Sequence, residues 1–440
     1  MKPYYQDETV TVYHGDCREV VEQIEGITAV VTDPPYGLSF MGKDWDHGVP
    51  GEEFWRGIAG ACLPGAMMLA FGGTRTYHRM VCAIEDAGWE IRDCLQWLYG
   101  SGFPKSLDVS KAIDRAAAAE HLREFSHKNP ADRPYTYMAG ETSTGWKSPP
   151  RPHKTKPYTE AARTWHGYGT ALKPAHEPIC LAMNPLDGTF AHNACTHGVA
   201  GLNVDGGRVG TESAGWNGLT SDRTGSEWDN SGFKKADGVQ RQSQGRWPAN
   251  IIHDGSAEVV EGFPNSKGQQ GDVRGTEPSH TGEGACYGEY GRVPAAKRGD
   301  SGSAARFFYC AKASKAERNR GCEGMEERDC SKYGGGIPSA VNSDPRGMSG
   351  GGNRPMRNSH PTVKPLALMR YLCTLVTMPE RNLILDPFAG SGTTGIACKE
   401  LGLPCILIEQ DEHHCEIIAA RVAAAKRDEQ PVIDPQRELF

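Results

Sequence analysis

Residues 30–36, VVTDPPY, place an Asp-Pro-Pro-Tyr tetrapeptide at the carboxyl end of an apolar, β-branched run. Asp33 offers a carboxylate. Pro34 and Pro35 have fixed φ angles and no N–H, so the loop is stiff and its carbonyl oxygens remain free as acceptors. Such a set suits an exocyclic amine on an aromatic ring, whose lone pair is delocalised into the ring and is a poor nucleophile. One N–H given to Asp33 and the other to the Pro34 carbonyl would draw the nitrogen toward tetrahedral geometry and aim its lone pair at an electrophile. Tyr36 would stack on the face of the ring. A Pro-rich turn with a helix-capping Asp accounts for the same four residues, so the tetrapeptide needs a second signal.

That signal lies at 383–395, LILDPFAGSGTTG, where an apolar strand runs into G-S-G-T-T-G and a helical pattern. This is G-x-G-x-x-G in its required strand-to-helix context. Glu409 follows Gly390 by 19 residues, at the end of the next apolar run. Glycines let backbone approach a ligand, the helix N-terminus favours an anionic group, and a carboxylate at the second strand end can accept both hydroxyls of a ribose. The spacing predicts an adenosine-type cofactor, either a nicotinamide or flavin dinucleotide or S-adenosylmethionine.

The elements that must carry these residues alternate. TVTVYHG, ITAVVTD, AMMLAFG and WEIRDCLQWLYG are expected strands, with a helix from Thr74 to Ala87 between the last two. Helix 365–377, strand NLILD, helix 393–401, strand PCILIE and a helix from Glu412 to Lys426, N-capped by Asp411, follow late in the chain. The expected fold class is α/β, a mostly parallel Rossmann-like sheet with helices on both faces. From about Gly100 to Ala305 the pattern dissolves into Gly, Pro, Trp and charged clusters, with 20 glycines between 201 and 300. Only KPAHEPICLAMNPL and GRWPANIIHDG keep strand-like cores there. The expected organisation is a catalytic half, 1–105, an insertion, 106–305, with parts returning to the sheet, and a cofactor half, 306–440.

Net charge is −7, which by itself disfavours a nucleic-acid partner, but the distribution is uneven. Residues 1–60 hold 11 acids and 4 bases, whereas 143–174 hold six bases, Lys147, Arg151, Lys154, Lys156, Arg163 and Lys173, against Glu160. Trp146, Tyr158, Trp165 and Tyr168 interleave with those bases, a mixture suited to a phosphate backbone. Residues 291–320 add eight bases against two acids. MKPYYQDETV has no apolar signal-peptide core and no run of 18 apolar residues occurs, so an intracellular protein without a membrane span is expected. The 14 cysteines form no C-x-x-C pair, which suggests reduced thiols rather than a disulfide framework or zinc ribbon. His192, Cys195 and His197 match no common metal spacing, and no metal is expected.

With both motifs in one α/β chain, the sequence resembles the S-adenosylmethionine-dependent DNA amino-methyltransferases, which methylate adenine N6 or cytosine N4. The order, catalytic motif first, insertion next and cofactor motif last, is similar to their permuted β class. TDPPYGLSFMGKDWD, YGSGFPKSLDVSKAID, ALKPAHEPICLAMNPL, RFFYCAKASKAERN and HPTVKPLALMRYL resemble phage- and prophage-associated members.

The resemblance implies that Asp33, Pro34, Pro35 and Tyr36 hold the target base. It implies that Asp386, Phe388, Ala389, Gly390, Ser391, Gly392 and Thr393 surround the methionine end of the cofactor and that Glu409 holds its ribose. Asp16, in HGDC, would lie near the adenine; His360 and Lys364, in HPTVKP, would close over the methionine carboxylate. His414 stands where the family usually has an aromatic residue. Asp at the head of the tetrapeptide favours adenine over cytosine N4, whose enzymes usually carry Ser-Pro-Pro-Tyr. The implied partner is double-stranded DNA, in the cytoplasm of a bacterial or phage-infected bacterial cell; the resemblance leaves room for a homodimer and a separately encoded restriction nuclease. Arg241, Gln242, Gln244 and Arg246 are candidate base readers.

A C5-cytosine methyltransferase needs a Cys nucleophile on a loop, and the only Pro-Cys, Pro404-Cys405, lies in an apolar run. Protein-glutamine and ribosomal-RNA enzymes use a related Asn-Pro-Pro-Tyr with the opposite motif order. A cofactor-retaining DNA-binding module leaves intact Asp33 and Tyr36 unexplained, and a dinucleotide oxidoreductase gives the tetrapeptide no role.

Overall fold

The computed structural model describes residues 1–37, 48–102, 106–117, 157, 159–209, 246–266, 302–311, 317–326, 357–360 and 362–427. Apolar runs bounded by Gly, Pro or Asp make the strands, and i, i+3, i+4 patterns make the helices. In chain order these include β1 (Tyr5–Gln6), β2 (Val10–His14), α1 (Cys17–Val21), β3 (Ile27–Thr32), α2 (Glu52–Ala61), β4 (Cys62–Phe71), α3 (Tyr77–Asp86) and β5 (Glu90–Leu98). There follow β6 (His176–Met183), α4 (Phe190–His197), β7 (Ile251–His253), β8 (Asn265–Ser266), β9 (Gly302–Ser303) and β10 (Tyr309–Cys310). The last group is α5 (Leu366–Leu375), β11 (Ile384–Asp386), α6 (Thr393–Leu401), β12 (Cys405–Glu409) and α7 (Glu412–Ala424).

Ten strands form one sheet in the order β1-β2-β12-β11-β3-β4-β6-β5-β7-β10. Strands β2, β12, β11, β3 and β4 are mutually parallel, and β5, β7 and β10 run the same way. Among the described strands of this sheet, only β1 and β6 oppose their neighbours. From β11 the chain crosses through α6 to β12 on one side, whereas from β3 it crosses through α2 to β4 on the other. The β11–β3 boundary is therefore a topological switch point, where open α/β sheets form a ligand crevice beyond their carboxyl strand ends.

Both faces are covered, which is why β3 is buried along its whole length. Alternation sorts its residues: Ala29 and Val31 pack with Met67, Leu69 and Phe71 of β4 on one face. Val30 packs with Ala66, Met68 and Ala70 on the other, where a register shift between Ile27 and Ala29 also places Ile27. Residues from α5, α6 and α7 cover the first face; α1, α2 and α3 cover the second, with Trp55 and Ile58 fully buried. Helix α2 was not among the expected elements, because Gly57 and Gly60 interrupt its apolar pattern.

The chain divides into two compact units, 1–100 with 176–440, and 101–175. In the second unit Thr159 caps the short helix Glu160–Thr164. Ser110 Oγ donates to the Ala162 carbonyl at 2.7 Å, and Thr159 Oγ1 to Asp114 Oδ1 at 2.8 Å. Trp165 and Tyr168 are exposed, their rings edge to face at 5.1 Å. Lys147, Arg151, Lys154, Lys156, Arg241, Gln242 and Gln244 lie outside the described residues.

Candidate active site

Asp33 follows β3 directly, and Tyr36 and Lys364 both bond its carboxylate. The Tyr36 hydroxyl lies 2.8 Å from Asp33 Oδ1 and 3.2 Å from Glu177 Oε2, so it can donate its one proton to either acid. Lys364 Nζ donates to Asp33 Oδ2 at 2.5 Å and to Tyr36 Oη at 3.2 Å, and lies 3.3 Å from Glu177 Oε2. The ammonium sits 4.7 Å above the Phe71 ring at the end of β4. Lys364 is buried. Burial by itself favours the neutral amine, but the charges of Asp33 and Glu177 outweigh it and hold the ammonium above its ordinary pKa. Burial, then the same two acids, keeps the Tyr36 phenol well above its usual range. Thr76 Oγ1 donates to the Tyr36 carbonyl at 2.6 Å. A Cβ on Gly73 would come within 3.2 Å of the Tyr36 side chain, so the glycine after β4 gives Tyr36 its place.

Glu177 was missed from sequence. Its only signal is an acid at the entry of an otherwise apolar strand, HEPICLAM, and nothing local says that β6 runs antiparallel into the sheet between β4 and β5. Lys364, expected over the methionine carboxylate, bonds Asp33 instead.

On the neighbouring strand end, Asp386 is buried and accepts from Thr32 Oγ1 at 2.7 Å, Thr394 Oγ1 at 2.5 Å and the Phe388 amide at 3.2 Å. Burial pushes its carboxyl up to about 6, although those three hydrogen bonds favour the charged form. The Thr32 contact ties β3 to β11, one residue from Asp33. Phe388 packs against Phe54 and Trp55 of α2, with ring centroids 6.0 and 6.1 Å away. The Ala389 amide bonds the Ile408 carbonyl at 3.0 Å, and the Gly390 amide bonds Glu409 Oε2 at 2.8 Å. Gly390 and Gly392 have φ of 56° and 77°, the left-handed region that glycine adopts freely.

Glycine at 392 also answers to packing within the chain. A Cβ there would lie 2.9 Å from Ile418 of α7, and one on Gly390 would meet His360 Nε2 at 2.9 Å. Gly395 lets α6 lie on β12, since its Cβ would be 2.5 Å from Leu407 Cδ1. The buried Arg421 guanidinium donates to both the carbonyl and the hydroxyl oxygen of Ser391 and also to Thr393 Oγ1 at 3.4 Å. Sequence reasoning missed Arg421; it was one polar position on the last helix.

Glu409 closes this side. Its Oε1 accepts from the Asp411 amide at 2.9 Å and lies 3.6 Å from His414 Nδ1. The Gly15 amide bonds the Glu409 carbonyl at 3.0 Å, which sets Asp16 beside that strand end. There Asp16 caps α1 and pairs with Arg18. The His360 and His414 rings meet edge to face at 4.8 Å, and Arg318 holds the His360 carbonyl at 2.8 Å. Burial, then His414, lowers the His360 pKa. Apart from Lys364, the residues expected to hold a cofactor lie around one turn: glycine backbone, a helix N-terminus, and a carboxylate with further lone pairs on both oxygens. That set fits an adenosine bearing an anionic tail. His192 and His197 instead both face Asp187, at 3.7 and 3.0 Å; among the described residues no group of three His, Cys, Asp or Glu could hold a metal. No helix among the described residues is long and apolar enough to cross a membrane.

The chain also shows similarity to known proteins. The chain is 41% identical over 68 residues to the Type II methyltransferase M.SmaI of Serratia marcescens, covering 16% of this chain and 23% of that protein. It is 42% identical over 65 residues to the Type II methyltransferase M2.DpnII of Streptococcus pneumoniae, 15% of this chain and 24% of that one. The matched segments thus span only about a quarter of the curated relatives. Among solved structures, the PvuII DNA methyltransferase (cytosine-N4-specific) aligns with 96% of this chain and 88% of its own at 12% identity and a TM-score of 0.40. The family model described as DNA methylase, of the N6/N4 class, matches residues 225–420, which include the Gly-rich turn, Glu409 and Lys364. Over that span the chain is similar to the N6/N4 class of DNA methylases.

Proposed function

We propose that this chain transfers a methyl group from S-adenosylmethionine to the exocyclic N6 of adenine in double-stranded DNA, by direct displacement without a covalent enzyme intermediate. The observation that carries the reading is the pairing of Asp33 and the Gly-rich turn at adjacent carboxyl strand ends, joined by the 2.7 Å Thr32–Asp386 bond. S-adenosylmethionine, when bound, supplies an electrophilic methyl group on its sulfonium. In this reading Glu409 receives the ribose hydroxyls, Asp16 and His414 flank the adenine side, and the α6 N-terminus with His360 faces the methionine carboxylate. Asp33 and the Pro34 carbonyl accept the two N–H groups of the target amine and orient its lone pair, while Tyr36 braces Asp33 and borders the base. The amine lies inside the duplex stack, so the base must flip out.

Asp at the head of the tetrapeptide favours adenine; cytosine N4 is the second reading, since both amines present the same two N–H donors. The relatives' Type II classification supports a site-specific enzyme of a restriction–modification kind in a bacterial or phage-infected cytoplasm, with any nuclease encoded separately. Sequencing that reports modified bases on DNA from cells expressing the protein tests all of this together. N6-methyladenine in a fixed context is expected; N4-methylcytosine would move the assignment to cytosine, and unmodified DNA would overturn the activity.

A further inference from the structure

An amine that is to be methylated must donate to Asp33, yet Lys364 already does. Its ammonium sits 2.5 Å from Asp33 Oδ2 and is braced by Tyr36 Oη at 3.2 Å, in the role the reading above assigns to the substrate's N–H. Lys364 is therefore an internal stand-in for the target amine. A base amine is neutral and donates more weakly than an ammonium, so it can take Asp33 only if the ammonium has a second anion to hold it. Releasing a buried cation with no partner would cost far more than the new hydrogen bond returns.

Glu177 meets that need. Its Oε2 is already 3.3 Å from Lys364 Nζ and 3.2 Å from the Tyr36 hydroxyl. A short swing of Nζ from Asp33 to Glu177 keeps the cation paired, and Tyr36 can donate to whichever acid is left short. With two acids near one ammonium, a cation held by Glu177 leaves Asp33 Oδ2 open to the amine.

Resting on the amino-methyltransferase reading, we infer that Glu177 is a positioning residue for methyl transfer: it takes over the Lys364 ammonium when the flipped base enters, freeing Asp33 to bind the target amine. With Glu177→Gln the ammonium has only Asp33, and the acid is both blocked and neutralised. Removing the cation as well, in Glu177→Gln/Lys364→Met, removes the need for an exchange partner. A residue that merely supports the fold would give no such rescue.

The test is single-turnover methyl transfer at saturating DNA and S-adenosylmethionine, with cofactor affinity measured by calorimetry and folding by thermal melting. Glu177→Gln should slow transfer about 100-fold while leaving cofactor affinity unchanged, because the fault is a misplaced acceptor at the reacting nitrogen. The double variant should recover at least about tenfold of that loss. Wild-type rates in a folded Glu177→Gln protein, or a double variant no faster than the single one, would overturn the exchange. If Glu177→Gln does not fold, Lys364→Met alone decides: with the stand-in gone, the DNA concentration for half-maximal rate should fall, and a rise or no change sinks the idea. A wild-type protein that transfers no methyl group would overturn the activity and this inference together, which distinguishes that failure from a failure of Glu177 alone.

Discussion

Asp33 and Asp386 leave strand ends side by side and meet opposite fates. Asp33 keeps company with a cation, a phenol and a second acid, as a group that must exchange partners does. Asp386 is sealed under two threonine hydroxyls and an amide. Replacing Asp33 with Ala should abolish methyl transfer, a loss of about 10²- to 10⁴-fold or more, with cofactor affinity little changed because the Gly-rich turn lies on another strand. Near wild-type turnover would remove the acceptor role from Asp33. For Asp386 the outcome is a pH dependence. Its folded pKa of about 6 stands above the ordinary 3.8, so the folded state holds its proton longer. The favourable contribution is complete below about pH 4 and is lost as pH rises through 6. Relative to Asp386→Asn, wild-type stability should thus fall by roughly 3 kcal/mol across that window, and flatten above it. Denaturant midpoints of the two proteins between pH 3.5 and 8, with a parallel course, would contradict this.

The turn between β11 and α6 shows how an element can be recognised for one reason and built for another. Its strand-to-helix context was legible because glycines at 390, 392 and 395 separate an apolar run from a helical one. Their duties were not, because each answers to a residue far along the chain: His360, Ile418 and Leu407. Gly392→Val should therefore weaken cofactor binding through strain and a clash with α7 rather than by filling ligand space. It should also cost about 1–3 kcal/mol of stability from the positive φ alone. Thermal melting with and without S-adenosylmethionine separates the two effects; an unchanged apo midpoint with lost binding would restore the ligand-contact explanation. Helix α2 carries the opposite lesson. Its glycines hid it in the sequence, although Trp55 and Ile58 anchor one sheet face.

At the scale of the whole chain, 101–175 is a unit of its own, with an exposed Trp165–Tyr168 pair. If the basic run within this unit tracks a DNA backbone, it supplies up to four phosphate contacts. Neutralising Lys147, Arg151, Lys154 and Lys156 together should lower the log–log salt slope of DNA binding by up to about 3 to 4 units and leave sequence preference nearly unchanged. An unaltered slope in titrations at several salt concentrations would move the DNA surface elsewhere. What the sequence determined by itself depends on near neighbours: most strand and helix periods, the stiff Asp-Pro-Pro-Tyr loop, the Gly-rich turn and the acid one strand later. From these came the α/β sheet and the pairing of two motifs 350 residues apart in one class of chemistry. Only the tertiary structure decided which side chains share a pocket. It brought Glu177 from β6 and Lys364 from the approach to α5 onto Asp33, and Arg421 onto Ser391. No local pattern encodes such meetings, because strand order and crossover direction set them, and a charged residue acquires its role only when burial forces it to find a partner.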